Sequence, residues 1–243
     1  MKLLFIRHGD PDYETDSLTE KGIREASLLA KRIADTHIDE CFVSPLGRAK
    51  LTAGPCLEAL NMEAVTYDWL REFDPRIDRP DSPDRPRITW DWLPQDWTTR
   101  EHFFKYNEWW DDDILKAADV KKHALEVYEG LDRLLASHGY ERDEHYYRAV
   151  RPNSDTLAFF CHFGVTTLML GHLIGASPMV LWHGMISAPT SVTTVYTEER
   201  RPGIASFRIT SFGDISHLYI AGEPPAFSGR FRECYSNEDE RKD

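Results

Sequence analysis

Residues 2–9 read Lys2-Leu3-Leu4-Phe5-Ile6-Arg7-His8-Gly9. A continuous apolar run of this length, without polar alternation, suits a strand buried on both faces of a parallel sheet. It stops on a cation, an imidazole and a glycine. In open α/β sheets, ligands bind beyond the carboxyl ends of the strands. Arg7, His8 and Gly9 would stand at that rim if the rest of the chain supplies such a sheet.

The next segments do. Ser17-Leu18-Thr19-Glu20 has capping-box spacing, and Ile23, Ala26, Ala30 and Ile33 recur at helical intervals, so a helix is expected over 19–36. A strand over 39–43 ends at Ser44-Pro45. A helix over 46–60 follows, with Pro55 expected to kink or break it, and then a short strand over 63–67. A long amphipathic helix is expected over 117–137, an apolar strand over 156–161, and a helix over 165–174 stopped by Gly175 and Pro178. Two closing strands, 191–197 and 204–211, flank a turn at Arg201-Pro202-Gly203. Repeated strand–helix units predict an α/β fold: a three-layer α/β/α sandwich with a mostly parallel sheet.

One stretch breaks the alternation. Residues 73–115 hold prolines 75, 80, 83, 86 and 94 and five of the seven tryptophans, Trp90, Trp92, Trp97, Trp109 and Trp110. It reads as an aromatic-rich helical and loop insert over the active site, packed as a small satellite core and able to act as a lid or specificity element. The organisation expected is one domain over 1–235, with a charged, disordered tail over 236–243.

The chain has 243 residues, with 29 Lys and Arg against 41 Asp and Glu, a formal net charge of −12. That balance argues against nucleic acid and against an anionic membrane surface. It leaves room for a small anion in a locally basic pocket. The first apolar run is too short for a signal peptide, and no apolar run is long enough to span a bilayer. Cys41, Cys56, Cys161 and Cys234 are scattered, so a reduced cytoplasmic chain without a disulfide scaffold or structural zinc is expected. Oligomeric state is not legible.

Three strand ends now carry chemistry-bearing groups: Arg7-His8-Gly9, Ser44-Pro45-Leu46-Gly47-Arg48 and His162-Phe163-Gly164, with Glu72 just past the third strand. Arginine forks suit phosphoryl oxygens. A neutral histidine can attack phosphorus, cations around the transferring group stabilise its charge, and a protonated carboxyl can supply the leaving group with a proton. No metal or other cofactor is called for.

Arg7-His8-Gly9 after an N-terminal strand, Ser-Pro-Leu-x-Arg-Ala at 44–49, Leu-x-Glu at 70–72 and His-x-Gly at 162–164, in that order, resemble the histidine phosphatase superfamily, in its phosphoglycerate mutase-like branch with small bacterial phosphatases. Asp214-Ile215-Ser216-His217-Leu218 is similar to that family's closing segment. The resemblance implies that His8 is the phosphorylated nucleophile, that Arg7 and Arg48 bind phosphoryl oxygens, and that His162 donates to them as a charged group. It implies Glu72 as the acid and base, with Asp74 as the fallback. In the other large branch the acid directly follows the second histidine; Phe163 stands there here. A metal-independent phosphomonoester hydrolase acting on a small phosphorylated substrate is therefore expected. The alternatives are a phosphoglycerate-type mutase using the same phosphohistidine and a catalytically idle scaffold for phosphorylated ligands.

The loop after His8 departs from the mutase pattern, with Asp10 and Glu14 where Ser or Thr and Asn are usual. Its alternating carboxylates, Asp10, Asp12, Glu14 and Asp16, lack the glycine and terminal glutamate of a calcium loop, so a solvated loop that disfavours diacid substrates is expected. His183 and His217 are read as structural, and Cys161 as a small buried apolar residue.

Overall fold

The computed structural model describes residues 1–82, 84–226 and 228. The tail expected over 236–243, and Cys234, lie outside these residues. The main elements are β1 (Lys2–Arg7), α1 (Glu20–Ile33), β2 (Glu40–Val43), α2 (Gly47–Leu60), β3 (Ala64–Thr66), α3 (Val120–Ser137), β4 (Tyr140–Asp143), β5 (Tyr146–Ala149), β6 (Thr156–Cys161), α4 (Phe163–Ile174), α5 (Pro178–Gly184), β7 (Val192–Arg201), β8 (Ile204–Asp214) and α6 (Ser216–Ala221). The eight strands form one mixed sheet in the order β3-β2-β6-β1-β7-β8-β5-β4.

The half that matters for chemistry is parallel. β1 pairs with β6, β6 with β2, and β2 with β3. Register fixes a common rim, because Arg7 lies opposite Cys161, Phe160 opposite Val43, and Val43 opposite Thr66. The residues that leave these strands, His8, His162 and Ser44, thus emerge side by side. β7, β8, β5 and β4 complete the sheet as antiparallel neighbours.

Alternation along the strands divides the core. Leu3, Phe5, Leu157 and Phe159 face α3 and α4, while Leu4, Ile6, Ala158 and Phe160 face α1 and α2. That gives the expected helix–sheet–helix layering. Two sequence expectations shift. The cap of α1 is Thr19, whose hydroxyl accepts from the Gly22 amide at 3.0 Å, rather than Ser17. Ser17 and Leu18 are instead spent on a small ribbon against Pro11 and Asp12. Pro55 neither ends nor breaks α2, which runs through it. The carbonyl deprived of a partner belongs to Leu51, a surface position that water can reach.

The insert is built of a ribbon (Arg76–Ile77 with Arg87–Ile88) and short helical turns at Pro94–Trp97, Glu101–Phe104 and Asp113–Ala117. Trp90, Trp92, Trp109 and Trp110 are buried in the same core as α3, α4 and the sheet. The expected satellite core is therefore corrected: these rings extend the main core and join it to the apolar residues of α3, α4 and the sheet. Trp109 stands edge-on to Trp182 at 5.3 Å, and Trp92 edge-on to Phe103 at 5.3 Å. Among the described residues no helix is long and apolar enough to cross a membrane.

Candidate active site

His8 leaves β1 with its amide bonded to the Cys161 carbonyl at 3.0 Å, and its own carbonyl accepts from the Thr190 amide at 3.1 Å. The backbone on both sides of the imidazole is thereby fixed. Its Nδ1 lies 2.7 Å from the Gly9 carbonyl oxygen. A carbonyl can only accept, so Nδ1 carries the proton and Nε2 the lone pair. The ring is 3% exposed. Burial, and then the adjacent Arg7, push its pKa well below the usual imidazole value. His8 is neutral, with Nε2 available.

His162 caps α4, and its ring centre is 5.1 Å from that of His8. Its Nε2 lies 2.7 Å from Ser44 Oγ, which accepts from the Leu46 amide at 3.3 Å. In the tautomer in which the Ser44 hydroxyl donates to Nε2, Nδ1 carries the ring proton. That Nδ1 is buried and has no protein partner. Sequence reasoning expected a charged His162. Here burial, followed by His8 and the arginines, lowers its pKa well below the usual value, so it is a neutral donor.

Arg7 is 4% exposed, and its Nη1 donates to the Ser187 carbonyl. Arg48, in the first turn of α2, is held by Asp16, whose carboxylate takes Arg48 Nη1 at 2.6 Å and the Gly47 amide at 2.6 Å. In both arginines Nε is buried and unpaired. Arg7 Nε, Arg48 Nε and, in that tautomer, His162 Nδ1 are three donors left without acceptors. An anion is the species that would satisfy them, and unmade bonds of buried donors are costly enough to call for one.

Glu72 lies just beyond the turn after β3. Its Oε1 accepts from the Phe73 amide at 2.8 Å and the Val165 amide at 3.0 Å, so the carboxyl sits on the N-terminus of α4. A side chain at Gly164 would close this position: a β-carbon there would lie 2.7 Å from Glu72 Oε1 and 2.6 Å from Trp90 Nε1. Burial raises the carboxyl pKa against the pull of the backbone donors and Arg7. Asp74, the fallback acid, is exposed. With Glu72, Trp69, Arg71, Phe73 and His123 it lines a cavity of about 380 Å³.

All five residues expected at the site lie at the rim. The structure adds Ser44, Asp16 and Ser187. Ser44 was visible in its motif, though without a role. Asp16 and Ser187 could not be found, since their contacts depend on a left-handed turn at Asp16 and on a loop after α5. His183 and His217 are held within the fold: His183 bonds the Met179 carbonyl at 2.6 Å, and His217 bonds Thr190 at 3.1 Å. The Cys161 thiol is pushed by burial up to about 12. Among the described residues no group of His, Cys, Asp and Glu is clustered to hold a metal ion.

A family model described as the histidine phosphatase superfamily (branch 1) matches residues 3–210. Phosphoserine phosphatase 1 of Hydrogenobacter thermophilus is 32% identical over 83 residues, 30% of this chain and 39% of that protein. A probable phosphatase of Schizosaccharomyces pombe is 25% identical over 238 residues, covering 90% of this chain and 95% of the relative. The solved structure of a phosphoserine phosphatase from Entamoeba histolytica, in complex with phosphoserine, covers 89% of this chain and 98% of its own at a TM-score of 0.58 and 19% identity.

Proposed function

The chain belongs to branch 1 of the histidine phosphatase superfamily, and we propose that it is a metal-independent phosphomonoester hydrolase working through a phosphohistidine at His8. The observation that carries this reading is the neutral His8, its Nε2 free, beside three buried donors that lack acceptors. In the first step Nε2 attacks phosphorus, the P–O bond to the alcohol breaks, and Glu72 gives that oxygen its proton. Arg7, Arg48 and His162 hold the phosphoryl oxygens as their charge grows. In the second step Glu72, now a carboxylate, takes a proton from water as the water attacks the phosphohistidine. The P–N bond breaks, inorganic phosphate leaves, and His8 is restored.

His8, Glu72 and His162 are the catalytic residues of this reading, and Arg7 and Arg48 bind substrate. The substrate is a small phosphorylated molecule, with no nucleic acid or membrane involved, and the enzyme works in the cytoplasm. The insert over 73–115, within a single domain over 1–235, bears on the choice of alcohol, since Phe73 reaches the cavity beside Glu72 and Trp90 packs against the start of α4. The names of two relatives make phosphoserine the first substrate to try. A phosphoglycerate-type mutase would share every step but the last, returning the phosphoryl group to a hydroxyl instead of water. The test is hydrolysis of a phosphomonoester panel, phosphoserine included, with acid-stable and base-stable phosphoenzyme measured in parallel. Loss of both turnover and the base-stable phosphoenzyme in His8→Ala supports the reading. Full turnover in His8→Ala overturns it.

A further inference from the structure

One buried carboxylate takes no part in the steps above. Glu25, in α1, has no exposed surface. Its two oxygens hold two different segments: Oε2 accepts from the Asp10 amide at 3.0 Å, and Oε1 from the Ala226 amide at 3.1 Å. The first contact bears on the site. The Asp10 N–H and the Gly9 C=O belong to one peptide unit, and that Gly9 oxygen is the acceptor that takes His8 Nδ1–H at 2.7 Å. Imidazole, peptide and carboxylate therefore form a chain joined by two hydrogen bonds.

The connecting peptide is held in place on its other sides. The Gly9 amide donates to Thr52 Oγ1 at 2.9 Å, and the Asp10 carbonyl accepts from the Thr19 amide at 3.0 Å. Gly22 of α1 lies against it, since a β-carbon at Gly9 would stand 2.8 Å from the Gly22 carbonyl oxygen. The charges that face Glu25 are Asp10 from the loop and Lys21 from its own helix, while Arg7 of β1 feels the Glu25 charge. Lys21 also pairs with Glu223 of the segment after α6 at 3.2 Å, so it offsets Glu25 only in part. Burial raises the Glu25 pKa to about 7, which makes both of its forms accessible near neutral pH.

We infer that Glu25 is a positioning residue for His8: its carboxylate polarises the Gly9–Asp10 peptide, so that the Gly9 carbonyl binds Nδ1–H more strongly and Nε2 attacks phosphorus more readily. The inference rests on the phosphohistidine reading above. No proton leaves Nδ1. A negative charge at the N–H end of a peptide draws further negative charge onto its oxygen, as linked hydrogen bonds polarise one another. The imidazole becomes cationic when Nε2 bonds to phosphorus while Nδ1 keeps its proton. The stronger acceptor therefore favours the phosphorylated ring over the free one. A carboxylate that only tied the loop to α1 would not distinguish the two.

The test compares the full-length wild type with Glu25→Gln, which keeps the volume and one acceptor oxygen but not the charge. Loading of His8 from a nitrophenyl phosphate is followed by rapid quench at pH 5.5 and pH 8.5. The His8 Nδ1–H resonance is followed by NMR over the same range in protein labelled with ¹⁵N-histidine. An ionised partner makes a hydrogen bond about twice as strong, and the peptide passes on part of that gain. At pH 8.5 the wild type should therefore load about fivefold faster than the variant. At pH 5.5, where Glu25 is protonated, the two should agree within about twofold. The Nδ1–H resonance should move downfield with rising pH in the wild type and stay in place in the variant. A ratio of loading rates that is the same at both pH values is the mark of a merely structural loss and overturns the inference. So does a wild-type resonance that does not move, a titration that stands even if Glu25→Gln fails to fold. A wild type that forms no phosphoenzyme at either pH defeats the hydrolase reading alone, and the resonance still decides Glu25.

Discussion

Replacing Glu72 by Gln isolates the proton it supplies. The amide oxygen of the substituted side chain can keep the two bonds that Glu72 Oε1 accepts from Phe73 and Val165. The volume beside Gly164 is also conserved, so the fold should survive. What disappears is the ionisable proton. A positioned general acid contributes about 10²–10⁴-fold, which is about 3–5 kcal/mol of barrier. The loss should depend on the alcohol. An alkyl alkoxide cannot leave without a proton, whereas a nitrophenolate can. Steady-state turnover would blur this, because Glu72 also activates water in the second step. The decisive assay is rapid-quench measurement of phosphoenzyme. With a nitrophenyl phosphate the Glu72→Gln variant should load His8 within about tenfold of the wild-type rate and then stall as phosphoenzyme. With an alkyl phosphate, loading should fall by the full 10²–10⁴-fold. The pH profile gives a second reading. Burial raises the Glu72 pKa, so wild-type loading of the alkyl phosphate should decline as pH rises through that value, and the variant should lack this limb. On the acid side His8 must be neutral, and its lowered pKa keeps that limb below its usual 6.5. Equal loss on both substrates, or none on the alkyl phosphate, would refute the assignment.

Other outcomes follow from neighbouring contacts. His8→Ala should abolish aryl phosphate hydrolysis, and a chelator should leave wild-type turnover unchanged; a chelator-sensitive wild type would defeat the metal-independent step. Asp16→Asn removes the anion that holds Arg48 at 2.6 Å. It should raise KM about fivefold with kcat nearly constant and cost about 1 kcal/mol or less in urea unfolding, as for other partly exposed ion pairs. Glu25, buried beneath the loop, accepts from the Asp10 and Ala226 amides, yet burial raises its pKa from 4.5 to about 7. The folded state binds this proton more tightly than the unfolded one. Its stabilising effect is therefore complete below about pH 4.5 and is lost as pH rises through 7, a span worth about 3 kcal/mol. Urea unfolding at pH 5 and pH 8 should show that decline in the wild type and a flatter profile in Glu25→Gln.

The sequence made some of this legible and not the rest, for physical reasons. β1 and β6 are buried on both faces, so their apolar runs could be read directly, and the residues at their ends came with them. The hairpin Tyr140–Ala149 escaped. It forms the sheet's outer edge, where Glu141, Asp143 and Arg148 are partly or fully exposed and only Tyr140, Tyr147 and Ala149 are buried. Charge on an edge strand hides it from a hydrophobicity reading. The start of α4 was placed two residues late because Glu72, 91 residues upstream of Phe163, satisfies amides of its first turn. Likewise the neutral state of His162 depends on burial first and then on crowding by His8, Arg48 and Arg7, which no spacing announces.

The acidic loop is where the fold changes the functional argument most. Four carboxylates beside a pocket for an anion suggested a solvated loop that would repel diacids. Three of them are already committed. Asp12 builds the turn, Asp16 neutralises the free face of Arg48 and caps the Gly47 amide, and Asp10 takes the Thr19 hydroxyl at 2.8 Å as well as the Ser228 hydroxyl. A carboxylate engaged by a guanidinium or by backbone donors presents much less field to a ligand than a free one. The loop therefore orders the arginines more than it repels substrate, and its charge no longer separates a hydrolase from a mutase. What separates them is the second step. A mutase must keep the phosphohistidine long enough for a hydroxyl to reach it, and a hydrolase must let water in. Glu72, the group that must take a proton from water in that step, lines a cavity of about 380 Å³ from which water can reach its carboxyl.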